Sequence, residues 1–188
     1  MKPKYLLMSA LSSWLLSGYP AIQSVRAEQP VLVQQQQWEQ ISSSEGGFTV
    51  LMPVAPTQNR QTTDGNKVSL DANLITASLE EGKIKYSVSY TNFPEDIAQL
   101  PPEFILDSLS SRFTSDRKIK LIHQQDIRLE QYSGKEFKFE APGGKIVNYR
   151  TYLVKQRLYQ LTTEIPKDRE SSLSADVEKF MASFKLVK

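Results

Sequence analysis

Cysteine is missing from this 188-residue chain, histidine occurs once, and no apolar run is long enough to span a bilayer. Without a thiol there is no cysteine nucleophile, no zinc–thiolate or iron–sulfur site, and no cysteine to carry a lipid. With His123 as the single imidazole, any triad built on a serine has to use it. No G-x-S-x-G, H-E-x-x-H, EF-hand loop, P-loop or G-x-G-x-x-G occurs. Pro142-Gly143-Gly144-Lys145 lacks the upstream glycine of a phosphate loop and reads as a turn. Charge of one sign is scarce as well. The formal net is +2, which gives no electrostatic case for binding nucleic acid.

What is present begins with a leader. Lys2 and Lys4 precede a mostly apolar stretch from Tyr5 to Leu16, which Gly18 and Pro20 terminate, and Val25-Arg26-Ala27 puts small residues where a signal peptidase reads. This layout predicts a signal peptide over residues 1–27, cleaved after Ala27, and export of the rest. The competing reading, an uncleaved anchor, needs about 20 apolar residues. The leader holds Lys2, Lys4 and Arg26 and no acid, so the remainder has one more acid than base. Residues 28–37, ending in four glutamines, read as a flexible linker. Residues 38–188 then form a single domain, large enough to bury about 70% of its unfolded surface without disulfides.

Within that domain the apolar period is two, then about 3.6, then two again. Phe48, Val50 and Met52 share one strand face; Val68, Leu70, Ala72 and Leu74 share another. Ile84, Tyr86, Val88 and Tyr90 alternate with Lys83, Lys85, Ser87 and Ser89, the pattern of a strand with one wet side. Thr62–Asn66 and Glu80-Glu81-Gly82 carry turn chemistry. Pro101-Pro102 opens a helix whose stripe is Ile105, Leu106, Leu109 and Phe113. Strands resume at Lys118, with Ile119, Leu121, Ile127 and Leu129 on one parity, and His123 on the same parity pointing inward. Gly134 turns the chain into Phe137 and Phe139; Pro142-Gly143-Gly144 and Lys155-Gln156 are further turns. Leu173, Val177, Phe180, Met181 and Phe184 form a second helix, with Ser172 or Ser174 as N-cap. The order β-β-β-β-α-β-β-β-β-α predicts an α+β fold, a twisted antiparallel sheet with two main helices packed on it.

Few residues suggest chemistry. His123 is a weak candidate for a metal ligand or acid–base group, because no carboxylate stands at a supporting spacing. Ser115-Asp116-Arg117-Lys118 fits S-x-x-K, but no S-D-N or K-T-G accompanies it. Glu80-Glu81 reads as a solvated turn, and Glu95-Asp96 as at most a weak cation site. Two groups suit docking: Arg112, Arg117, Lys118 and Lys120 at the helix–strand junction, and Tyr149, Tyr152 and Tyr159 on the following hairpin. Sheet packing is the stronger reading of those tyrosines.

Several segments resemble the PsbP-like family, relatives of an extrinsic subunit of the oxygen-evolving photosystem. Glu45–Pro53 is similar to its early Gly-Phe-apolar-Pro strand, Leu100–Leu106 to its proline-led helix, and Gly134–Phe137 to its Gly-Lys-aromatic strand. Arg157–Leu161 resembles its Leu-Tyr strand and Lys179–Phe184 its closing helix with a terminal Ser-Phe pair. The resemblance implies an α/β/α sandwich and an accessory protein of the periplasm or thylakoid lumen. It carries no active-site residue or cofactor across. The expected function is therefore a non-enzymatic accessory or assembly protein that docks a membrane complex. One alternative is a small-ligand module with a pocket between sheet and helix, lined by Tyr86, Tyr90 or Phe137. A hydrolase using Ser115 or His123 ranks last.

Overall fold

The computed structural model describes residues 37–53, 55–64 and 69–187. The expected leader, and the linker up to residue 36, lie outside them. The described residues fall in one compact unit, residues 35–188.

Seven strands form the main sheet. In chain order they are β3 (Thr57–Asp64), β4 (Ser69–Leu79), β5 (Ile84–Asn92), β6 (Lys120–Leu129), β7 (Tyr132–Ala141), β8 (Lys145–Val154) and β9 (Arg157–Pro166). In space the order is β3-β4-β5-β9-β8-β7-β6, antiparallel throughout. A smaller antiparallel sheet joins β1 (Glu39–Ser43), β2 (Phe48–Met52) and β10 (Lys185–Leu186) in the order β1-β2-β10. Between β5 and β6 run a single turn, α1 (Glu95–Ala98), and α2 (Pro102–Ser115); α3 (Glu170–Ser183) follows β9. The fold is thus α+β, as the sequence pattern predicts.

The small sheet and α3 cover one face of the main sheet. Phe48, Val50 and Met52 from β2, Tyr86, Val88 and Tyr90 from β5, and Val177, Phe180 and Met181 from α3 share this core. On the other face α2 buries Ile105 and Leu106 against Leu153 and Leu158, and Phe113 against Phe137, Phe139 and Tyr149. The alternation in β5 holds as read: Ile84, Tyr86, Val88 and Tyr90 are all buried. Pro102 stands at the first turn of α2, where its missing N–H costs no hydrogen bond.

In β4 Leu70, Ala72 and Leu74 share one face as read, half-exposed, while the buried face carries Ile75 and Ala77; Val68 lies outside the described residues. Three local readings need correction. In β6 the register shifts between Leu121 and His123, leaving Ile122 as an extra residue on an edge strand. The shift reverses parity, so Ile119 packs with Phe137 and Phe139, while Ile127 and Leu129 pack against the opposite core. His123, after the shift, shares the parity of Ile127 and Leu129, but on this edge strand it is exposed and not inward. Gly134 lies inside β7 and is not a turn, since the β6–β7 turn is Glu130-Gln131. Ser172 and Ser174 do not cap α3; their hydroxyls donate back to the carbonyls of Arg169 and Ser171, and the helix grows from a 3-10 turn at Lys167–Arg169.

Candidate functional site

The strand directions bring three turns and the end of β5 to one edge of the domain. Glu130-Gln131 joins β6 to β7 and Lys155-Gln156 joins β8 to β9, each a two-residue connection. Glu130 and Lys155 both take φ of 54°, a left-handed conformation that costs a β-carbon-bearing residue about 1 kcal/mol. The third turn, Ser44–Gly47, links β1 to β2, and Gly47 at φ 67° supplies the conformation that reverses the chain.

Arg157, the first residue of β9, ties these pieces together. Its Nε donates to Asn92 Oδ1 at 2.7 Å, and one terminal nitrogen donates to the carbonyls of Glu45 at 2.9 Å and Gly46 at 2.8 Å. The guanidinium carbon lies 5.2 Å from the centre of the Tyr90 ring. Tyr159, two residues on and on the same face, donates its hydroxyl to the Gly46 carbonyl at 2.6 Å. The Val187 N–H donates to the Gly47 carbonyl at 2.9 Å. The glycine turn is therefore held by β9 on one side and by the segment after β10 on the other.

These elements frame a cleft of about 720 Å³. Gln131, Gln156 and Asn92 contribute amides, Lys155, Arg157 and Glu130 contribute charge, and Val154, Leu186 and Val187 contribute apolar surface. A second cleft of about 470 Å³ lies between α2 and the β6–β7 pair. There Lys135 sits between Asp126 at 2.8 Å and Asp107 at 2.9 Å, pinning α2 to the edge strand. Hydrogen bonds that the Lys135 ammonium donates to these two carboxylates, Asp126 first, raise its pKa.

The sequence candidates are scattered by the fold. Tyr149, Tyr152 and Tyr159 are 7%, 6% and 3% exposed and form no common surface; of the three, Tyr159 lines the larger cleft. Tyr149 packs with Phe113 under α2, whereas Tyr152 stacks on Phe184 on the opposite face of the sheet. Arg117, Lys118 and Lys120 are exposed beyond the far end of α2; the side chain of Arg112 lies outside the described residues. Ser115 donates its hydroxyl to the Ser111 carbonyl at 2.6 Å, and α2 ends there, so Lys118 cannot stand one helical turn above it. Glu80 pairs with Arg169 at 2.9 Å from a 3-10 turn. Among the described residues no three His, Asp or Glu side chains are grouped to hold a metal. Tyr86, Tyr90 and Phe137 are core residues and line neither cleft. Sequence reasoning passed over Arg157 and the two X-Gln turns as site residues; Lys155-Gln156 was legible only as a turn.

No family model and no curated protein matches the chain. Solved structures do. The solution structure of cyanobacterial PsbP (CyanoP) from Synechocystis sp. PCC 6803 is 13% identical, covers 82% of this chain and 95% of its own, and superposes with a TM-score of 0.54. LpqN, involved in cell envelope biogenesis of Mycobacterium tuberculosis, is 12% identical over 80% of this chain and 79% of its own, with a TM-score of 0.44. The Saccharomyces cerevisiae Ran-binding protein Mog1p is 9% identical over 81% and 97%, with a TM-score of 0.43. The first likeness shows that the chain has a PsbP-like fold; the other two are looser.

Proposed function

We propose that this chain, a PsbP-like fold behind a secretory leader, is an exported, non-enzymatic accessory or assembly protein that docks a membrane complex. The observation that carries the reading is the lining of the larger cleft. Its residues include no Ser, Thr, Cys or His, and so no Ser–His or Cys–His pair. Amides, two cations, one acid and an apolar wall instead suit recognition of a partner surface. No helix among the described residues is long and apolar enough to cross a membrane, so attachment is assigned to docking. Arg117, Lys118 and Lys120 form a second contact surface in this reading. The alternative, a small-ligand module, is supported by the cleft volume, which falls in the range of small-molecule sites.

Deleting the gene tests the proposal, with membrane complexes resolved on native gels and assayed for activity. One complex is expected to accumulate less or assemble more slowly, and to be restored by the wild-type gene. Unchanged assembly and activity of every membrane complex, together with tight binding of a metabolite by the purified protein, would replace docking by the small-ligand reading.

A further inference from the structure

We infer that the larger cleft receives an extended, acidic segment of the docked partner, added as a strand to the outer edge of β10. This rests on the docking reading above and names its chemistry. β10 is the outer strand of the small sheet. It pairs with β2 through Lys185 opposite Thr49 and Leu186 opposite Phe48, and the next N–H, that of Val187, donates to the Gly47 carbonyl. Successive residues of an antiparallel strand send their backbone groups to opposite sides. With Val187 bonded toward β2, Leu186 turns its N–H and C=O away from β2, and Leu186 lines the cleft. A strand edge on a cleft wall is a template for backbone pairing.

The rest of the cleft fits such an occupant. Gln131 and Gln156 each carry a donor and an acceptor, the pair that a peptide bond also offers. The charge favours an acid. Each cation of β7 and β8 has a carboxylate partner: Lys135 with Asp126, Lys138 with Glu170, Lys145 with Glu164, and Arg150 with Glu136. Lys155 and Arg157 take part in no ion pair among the described residues, and both line the cleft. Arg157 is bonded to neutral oxygens, two carbonyls and one side-chain amide. Glu130 is the one acid in the lining, and the exposed Lys185 stands next to Leu186 on the same strand.

The test titrates the purified protein with two short fluorescein-labelled peptides, one alternating Val with Glu and one alternating Val with Lys, while amide exchange is followed residue by residue. The Glu peptide is expected to bind at least tenfold more tightly than the Lys peptide, to weaken at high salt, and to slow exchange of the Leu186 amide. Lys155→Glu, a change in an exposed turn, should abolish that preference, and Leu186→Pro, which removes the outward N–H, should abolish binding of the Glu peptide. Equal affinity for the two peptides, binding of neither, or binding that leaves Leu186 exchange unchanged would overturn the inference. If a membrane complex still depends on the gene in that event, the docking reading stands and strand addition alone falls.

Discussion

Gly134 shows how much one missing side chain decides. A β carbon at this position would sit 2.5 Å from Cδ1 of Tyr152 and well inside contact distance of the Thr151 carbonyl oxygen. Tyr152 is directly opposite Gly134 in the β7–β8 ladder, and its ring lies across the glycine before stacking on Phe184. Its neighbour Thr151 is backbone in a central strand, so it has little room to give. Gly134→Ala is therefore expected to destabilise the fold by about 1–3 kcal/mol through overpacking. It should be read as a lower urea midpoint with an unchanged slope. A midpoint equal to wild type would mean that the ring moves aside at no cost. The same residue explains a misreading from sequence. Glycine marks both chain reversal and close approach, and only the partner strand says which applies.

At the scale of elements, what could be read was what depends on a residue's immediate neighbours. The two-residue period of β5, the proline-led start of α2 and the apolar stripe of α3 follow from local spacing, and they stand in the structure where the pattern puts them. What could not be read depends on pairing across the chain. β10 has only two residues and exists because β2 offers it an edge. The site residues were hidden for the same reason, since Arg157 acts on carbonyls more than a hundred residues earlier. The β6 bulge is the clearest case, because inserting Ile122 reverses the parity on which His123 was placed. Ile122 is 49% exposed and Leu121 and His123 keep their partners Phe139 and Lys138 on either side of it. Deleting Ile122 should join those two pairs into a regular ladder without moving Ile127 or Leu129 off their core. The expected loss is no more than about 1 kcal/mol, as for other changes away from packed sites. Loss of cooperative unfolding in the deletion variant would show that the bulge sets the register of the whole strand.

At the scale of the molecule, the core is built around aromatic residues whose polar ends are buried with them. Tyr86 is fully buried between Trp38 and Phe180, and its hydroxyl has no hydrogen-bond partner among the described residues. Burial drives its pKa far upward, the Asp176 carboxylate pushes the same way, and Arg169 opposes them. Burial likewise raises Tyr152, against the pull of Arg150. A raised folded pKa favours the neutral phenol in the native state. The stability it protects is complete below the unfolded tyrosine value of about 10. It is lost as the pH climbs from there through the folded value, at up to about 1.4 kcal/mol per pH unit per group. Lys135, also raised, adds a loss of the same sign in the same alkaline range. Urea melts at rising pH should therefore show falling stability above pH 10, with part of the phenolate absorbance appearing only on unfolding. Tyr86→Phe separates the causes. It removes a buried hydroxyl that has no partner, so stability at pH 7 should not fall by more than a few tenths of a kcal/mol. The alkaline decline should become shallower by one group. A variant that loses more than about 1 kcal/mol at pH 7 would show that the hydroxyl has a partner in solution, and an unchanged alkaline slope would assign the decline to Tyr152, Lys135 and Tyr90, whose pKa burial also raises.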